Sequence, residues 1–452
     1  MSIHNKFNYK SIYELQEQLD SLNLSLPFVH DKSEVRNILA QPLIIYSKRG
    51  GNKKININNR VAIQPMEGFD SEDGGQPSDL TKRRYVRFAK SGAGLIWYEA
   101  TAVVVEGRGN PRQLYINKAN ADDFTSQVED IKKTCMKTHG FEPLIIMQAT
   151  HSGRYSKPTP VIAYQKPLFE KDKPIDPSCI ISADGLKRLT DKMGEAAKLA
   201  YQAGFDGVDI KGCHGYLNNE LLSAYLRTDE YGGSFENRTR FFTDSVKAAQ
   251  SQTDTNKFII TSRMNAYDGF AYPNGFGVID DGTANPDLTE TKKLISILYN
   301  ELNMPLLDVT VGNPYVNPHV NRPADTLPYE HTEHSLVGIS RVAAITGELQ
   351  KEFPELPIVA SAMTYLRQFS PNYAAAMIKN GSCAIAGFGR MAFAYPDFAR
   401  DILETGEINA DKCCITCGNC SLLMRNNSST GCVIRDRETY YPLYKKFVLK
   451  EE

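Results

Sequence analysis

Three side chains that can move a proton or hold an oxyanion stand just after a short apolar run. The run is GVDIK, residues 207 to 211, and the side chains are Lys211, His214 and Tyr216. Lysine is a charged donor, histidine changes charge near neutrality, and a tyrosine phenol is a weak general acid. A second concentration of chemistry lies near the end of the chain. Of nine cysteines, Cys135, Cys179, Cys213 and Cys383 are scattered, while Cys413, Cys414, Cys417, Cys420 and Cys432 are close together. In a cytosolic chain such a cluster reads as a metal site more readily than as disulfides. Spacing alone leaves the first group open to a plainer reading: a strand, a polar loop and the salt-bridged start of a helix.

Eight apolar runs look like strands that could position these groups. They are VAIQPM (61–66), GLIWYEA (94–100), PLIIMQA (143–149), GVDIK (207–211), FIITSRM (258–264), PLLDVTVG (305–312), PIVASAM (357–363) and CAIAGFG (383–389). Between them lie amphipathic stretches such as DGLKRLTDKMGEAAKLAYQAG and NPDLTETKKLISILYNEL. This alternation predicts an α/β fold, a (β/α)8 TIM barrel, with the active site at the C-terminal strand ends. An open doubly wound sheet is the alternative, but no G-x-G-x-x-G follows an early strand. Residues 1–37 read as an N-terminal helical extension, with an apolar stripe at Ile12, Leu15, Leu19 and Leu22, packed on the barrel or at a subunit contact. The barrel is expected over 38–405 and a cysteine-rich segment and tail over 406–452.

The stretch from Gly207 to Phe242 resembles the signature of the Old Yellow Enzyme family of FMN-dependent oxidoreductases. Members carry HGYL or NGYL followed by RTDEYGGS and ENR, and this chain reads HGYL, RTDEYGGS and ENR. The likeness runs over roughly residues 38 to 435. It implies that Pro65, Met66 and Glu67 lie along the flavin, with Glu67 where the family often has Thr or Cys. It also implies that the backbone of Ala100 contacts the flavin, that Gln148 meets its pyrimidine edge, and that Arg263 stands beside N1 and the C2 carbonyl. The turns at Ser361-Ala362 and Gly389-Arg390 would hold the FMN phosphate, though Ser361 and Ala362 replace a more glycine-rich turn. His214 and Tyr216 match the family's substrate-oxygen ligand and proton donor, and Lys211 replaces the usual first histidine. Its charge suggests a substrate with a carboxylate or a comparably anionic acyl group. His151, Arg154, Tyr315 and His319 fit either the site or the loops around it, and Tyr315 is the candidate substrate contact. The glycine-rich stretch AYPNGFGVIDDGTANPD looks like a loop over the site.

The spacing Cys414-x2-Cys417-x2-Cys420-x11-Cys432 is similar to that of the trimethylamine dehydrogenase and 2,4-dienoyl-CoA reductase branch, whose members bind a [4Fe–4S] cluster. Structural zinc and unliganded thiols are the alternatives, and Cys413 is a spare. Those relatives continue into a second nucleotide-binding region, whereas this chain stops at Glu452. The expectation is therefore direct reduction of FMN by NAD(P)H or delivery of electrons by a separate protein.

A chain of 452 residues, 41% hydrophobic and 23% charged with net charge -1, suits a globular protein and offers no electrostatic case for nucleic acid or an anionic membrane. No signal-peptide core or membrane-spanning run is apparent, so a cytoplasmic location is expected. The leading expectation is hydride transfer from NAD(P)H through FMN to an activated alkene, an enone or unsaturated acyl compound. Amine oxidation and an iron–sulfur electron-transfer or redox-sensing subunit are the rivals. The physiological substrate, the preferred nicotinamide and homo-oligomer formation stay open.

Overall fold

The computed structural model describes residues 6–48, 50–326 and 332–451. Two helices come first, α1 (Ile12–Ser21) and α2 (Lys32–Leu39), each capped by a side chain that accepts a backbone N–H, Ser11 from Glu14 and Asp31 from Glu34. An antiparallel hairpin, β1 (Leu43–Tyr46) and β2 (Lys54–Ile57), follows. Then come eight parallel strands: β3 (Val61–Ile63), β4 (Leu95–Ala102), β5 (Leu144–Thr150), β6 (Gly207–Ile210), β7 (Ile259–Tyr267), β8 (Leu307–Val311), β9 (Ile358–Ala360) and β10 (Ile385–Phe388). Each pairs with the next and β10 pairs back onto β3, closing a barrel without edges. Helices connect the strands, among them α3 (Asp79–Ala89), α4 (Ala121–His139) and Ala183–Gln202. This is the expected (β/α)8 barrel.

Side chains alternate along a strand, and the inward positions change character from one end of the barrel to the other. At the N-terminal end Ala62, Leu95, Leu144, Ile146, Ile259, Val359 and Ile385 form one apolar cluster, closed from below by Ile45 and Ile57 of the hairpin. Two residues further along, Gln64, Gln148 and Ser361 are buried and polar, as is Arg263 four residues beyond Ile259. The chain therefore turns from a sealed apolar floor to a reactive mouth within one or two turns of side chains.

Several strand ends differ from the sequence reading. Strand β3 stops at Ile63, which frees Gln64 to Glu67 to line the mouth. Strand β4 runs on to Ala102 through a bulge between Tyr98 and Ala100, and β7 runs to Tyr267, so Arg263 lies inside its strand rather than at its end. Helix α2 spans residue 38, where the extension was expected to give way to the barrel. The expected extension and tail reach residues 1–5 and 452, which lie outside the described residues.

The extension packs on the barrel. The amide of Val29 donates to Asn372 O at 3.1 Å, and Asn372 Nδ2 donates back to Val29 O at 2.8 Å. The buried Val35 and Leu39 belong to the main core. The C-terminal segment carries its own small cluster of Leu423, Val433 and Tyr440, and Arg83 of α3 donates to Asp436 at 2.8 Å. No helix among the described residues is long and apolar enough to cross a membrane.

Ala362, just after β9, has φ +69° in the left-handed region, where a Cβ is strained and glycine is at ease. Ala362→Gly should raise stability by about 0.5–1 kcal/mol, the relieved strain being partly offset by the freer unfolded chain. Chemical denaturation measures it, and a loss of stability would show that the turn is not strained.

Candidate active site

The C-terminal mouth of the barrel holds an open cleft, where barrels bind small molecules and cofactors. Nearly all the residues singled out from sequence meet there. Pro65, Met66 and Glu67 enter from the loop after β3, and Gln148 from β5. Lys211, His214 and Tyr216 come from the loop after β6, Arg263 from β7 and Tyr315 from the loop after β8. Ser361, Ala362, Gly389 and Arg390 complete the wall after β9 and β10.

Ala100 is the exception. It lies inside β4, off the cleft lining, and its carbonyl accepts from Gln113 Nε2 at 3.1 Å. The bulge in β4 explains the difference, because it turns Glu99 towards Arg84 and the Gly68 amide (2.5 and 2.7 Å) and carries Ala100 with it. The loop 268–287 also contributes no residue to the lining. Its Asn274 carbonyl accepts from the buried Lys166, which holds the loop to one side. Arg154 is buried between Glu170 and Glu220, at 2.6 Å from each, and so serves the loop architecture. His151 accepts the Gly153 amide at 3.1 Å, and burial pushes its imidazole down to about 4. His319 is outside the lining as well.

The sequence reading missed Gln64, Asn321, Arg322 and Thr364, and also Ser421, Met424 and Thr430 from the C-terminal segment. Gln64 carried a signal, since it is the polar residue that follows the inward Ala62 by two. The C-terminal residues reach the cleft through tertiary packing alone.

Beneath the cleft the polar side chains form one network. Arg263 Nε is 3.1 Å from Asp308, and its Nη2 donates to Ser361 Oγ at 3.4 Å. Gln64 Nε2 donates to Asp308 at 3.0 Å and to Ser361 at 2.6 Å. Gln148 Nε2 donates to Asp209 at 2.6 Å, which also accepts from Trp97 Nε1 at 2.8 Å and the Arg263 amide at 2.8 Å. Burial pushes Asp209 up to about 7 and Asp308 up to about 6; hydrogen bonds, and Arg263 for Asp308, oppose it. The guanidinium of Arg263 and the oxygen of Gln148 are thereby fixed at the cleft floor.

At the opposite wall Tyr216 Oη lies 3.1 and 3.2 Å from the two Glu67 oxygens and 2.9 Å from Tyr315 Oη. The Tyr315 ring stacks on Tyr155 with centroids 3.8 Å apart. Lys211 Nζ sits 3.6 Å from the centroid of the Tyr216 ring. His214 has φ +68°, supported by its amide donating to Asn265 Oδ1 at 3.3 Å, and its buried Nε2 has no protein partner among the described residues. Burial, then Arg263 and Lys211, holds that imidazole well below its ordinary value, so it is neutral. Burial, then Glu67 and Tyr315, holds the Tyr216 phenol well above its ordinary value, so it keeps its proton.

Cys414, Cys417, Cys420 and Cys432 all face a second, much smaller cavity, and Cys420 and Arg390 line both cavities. Cys413 is not among them; its thiol donates to Asn409 O at 3.3 Å. Among the described residues no three His, Cys, Asp or Glu side chains gather closely enough to hold a single metal ion. The rest of this lining includes Phe393, Ile415, Val433 and Ile434, with Arg390 and Arg435 as its charges.

The family described as NADH:flavin oxidoreductase / NADH oxidase matches residues 51–326. A curated relative, the NADPH dehydrogenase of Clostridium acetobutylicum, is 30% identical over 247 residues, covering 52% of this chain and 66% of that protein. The NADPH dehydrogenase of Bacillus pumilus is 36% identical over 46% of this chain and 61% of its own length. The chain thus aligns with somewhat less than two thirds of the curated relatives it matches. Among solved structures, 2-naphthoyl-CoA reductase in complex with 2-naphthoyl-CoA superposes with a TM-score of 0.70 at 19% identity, covering 89% of this chain and 57% of that one. Such a likeness bears on the fold, while the matched residues bear on ancestry: the chain belongs to the NADH:flavin oxidoreductase / NADH oxidase family.

Proposed function

We propose that this protein is an FMN-dependent reductase of activated alkenes, built as a helical extension, a catalytic barrel and a cysteine-rich segment. The observation that carries the reading is the wall formed by His214, Lys211 and Tyr216. His214 and Lys211 line the cleft, and their Nε2 and Nζ would bind the oxygen of an enone or unsaturated acyl group, where enolate charge develops. Tyr216 is a phenol kept protonated by its surroundings and is suited to protonate the α-carbon. Gln148, Arg263 and the turns at Ser361-Ala362 and Gly389-Arg390 fit the edge, the anionic ring and the phosphate of FMN. Bound FMN would supply the hydride, taken from NAD(P)H. Amine oxidation is disfavoured by the lining, in which Lys211, Arg263, Arg322 and Arg390 face a single carboxyl, Glu67. An ammonium substrate would meet a net positive wall. The same positive lining agrees with an anionic acyl substrate, the preference that Lys211 suggested.

For the four cysteines we prefer a [4Fe–4S] cluster to zinc. One zinc ion needs all four sulfurs about 2.3 Å from a single point. Four thiols spread around a cavity, with two arginines to balance an anionic group, suit a larger body. Such a cluster would carry single electrons beside the cleft, through the wall that Cys420 and Arg390 share.

Heat-released cofactor should chromatograph as FMN; FAD, or no flavin after reconstitution with FMN, would remove the flavin assignment. Tyr216→Phe should leave flavin reduction by NAD(P)H near normal and slow alkene reduction by roughly a hundred- to ten-thousand-fold, the range for a lost general acid. Stopped-flow measurement of the two half-reactions separates these effects, and slowing of the first half alone would contradict the role. Anaerobically prepared protein should contain iron and acid-labile sulfide, lost in Cys420→Ser and kept in Cys413→Ser. Zinc without sulfide, or four free thiols, would overturn the cluster.

A further inference from the structure

Glu67 is a half-buried carboxyl in the cleft whose two oxygens both lie near Tyr216 Oη, at 3.2 and 3.1 Å, but differ in their other partner. Gln113 determines which is which. Its Oε1 accepts the Gly109 amide at 2.6 Å, and its Nε2 donates to the Ala100 carbonyl at 3.1 Å, so the orientation of this amide is fixed by backbone groups. The same Nε2 donates to Glu67 Oε1 at 3.0 Å. Oε1 is therefore an acceptor, and a proton on the carboxyl belongs on Oε2, which lies 3.1 Å from Tyr216 Oη. Tyr315 Oη, 2.9 Å from the same phenol, supplies the third partner.

We infer that Glu67, in its protonated form, is the proton reservoir for Tyr216, so that α-protonation draws on a two-member relay from Glu67 Oε2 through Tyr216 Oη to substrate carbon. The inference rests on the alkene-reductase reading. In the step, the Tyr216 O–H bond breaks and its proton forms the new Cα–H bond with the electron pair of the enolate. The Glu67 O–H bond then breaks and its proton restores the Tyr216 O–H. The negative charge ends on Glu67, next to Lys211, and solvent later returns the proton.

The groups around Glu67 agree with this. Burial raises its carboxyl above the ordinary value; Lys211 and Tyr216 oppose that rise. Lys211 comes from the loop after β6, Tyr216 from the start of the Leu217–Leu222 helix, and Tyr315 from the loop after β8. Behind Glu67, Glu99 is occupied by Arg84 and the Gly68 amide and does not reach Tyr216. The sign follows directly. The relay works while Glu67 is protonated, so it fails as pH rises through the raised value.

Infrared difference spectra and pH profiles of the FMN-reconstituted protein test the relay separately from the activity. Wild type minus Glu67→Gln at neutral pH should show one carboxylic-acid C=O band, and Tyr216→Phe should shift it. Turnover with a simple enone should fall on the alkaline side in wild type. Glu67→Gln, which keeps the shape without a transferable proton, should be slower by about a hundredfold and lose that limb. Gln113→Leu, which removes a donor to the ionised form, should move the limb to higher pH. A missing or unshifted C=O band, or an alkaline limb that survives in Glu67→Gln, overturns the relay while leaving the reductase intact. A wild type that reduces no activated alkene overturns the reductase reading and the relay with it.

Discussion

The cleft depends on one buried ion pair, Arg263 with Asp308. A guanidinium at the floor of a barrel mouth is out of water, and an unpaired charge there would cost several kcal/mol. Asp308 on the neighbouring strand supplies the counter-charge at 3.1 Å and is itself fully buried. The pair alone would leave lone pairs and N–H groups unmet. Ser361 and Gln64 fill two of them, and the backbone of Arg263 is tied to Asp209, which in turn orients Gln148. Side chains in or just after six of the eight strands thus meet in one polar layer. Losing either charge would leave its partner stranded and would also free the groups that it holds at the cleft floor. Stability and positioning cannot be separated at this layer, because the same hydrogen bonds provide both.

The apolar floor below makes such a layer tolerable. Ile45 and Ile57 close the N-terminal end, so water reaches the interior from one side only. Electrostatic interactions in the mouth are correspondingly strong, which is why carboxyls, phenols and the His214 imidazole there are all displaced towards their neutral forms. A site of neutral proton donors arranged around a few fixed cations can answer charge that develops during a reaction without having to reorganise.

Much of this was legible in the chain because it is local. Each strand carries its own apolar run and ends in its own polar residue, so Gln148, Arg263 and the Lys211-His214-Tyr216 loop could be placed at the mouth from sequence. Ala100 could not, because a bulge two residues away changes which side chain faces inward. The hairpin beneath the barrel was not read from sequence, because its closing role depends on contacts with the barrel floor. The direction of Glu67 was hidden for a different reason: it depends on Tyr216, Tyr315 and Gln113, which lie far along the chain, and on the amide orientation that Gly109 and Ala100 impose.

The cysteine-rich segment shows best how non-local contacts change the meaning of a motif. Read along the chain, it is an appendage after the barrel. In the structure it is a wall of the cleft, since Cys420, Ser421, Met424 and Thr430 line the same space as Tyr216 and Arg263. Its place is set by groups from both ends of the molecule. Arg367 pairs with Asp325, donates to Ile415 O at 3.0 Å and lies over the ring of Phe7, whose amide donates to Asp325 at 3.1 Å. The Thr430 amide reaches the Gly68 carbonyl at 2.7 Å, one residue from Glu67. The N-terminal extension, the loop after β8 and the cysteine segment are therefore held at a common junction. The four-cysteine cavity thus shares Cys420 and Arg390 with the cleft, and its segment is tied through Gly68 to the loop that carries Glu67, so the motif at the end of the chain belongs to the same wall as the loop after β3.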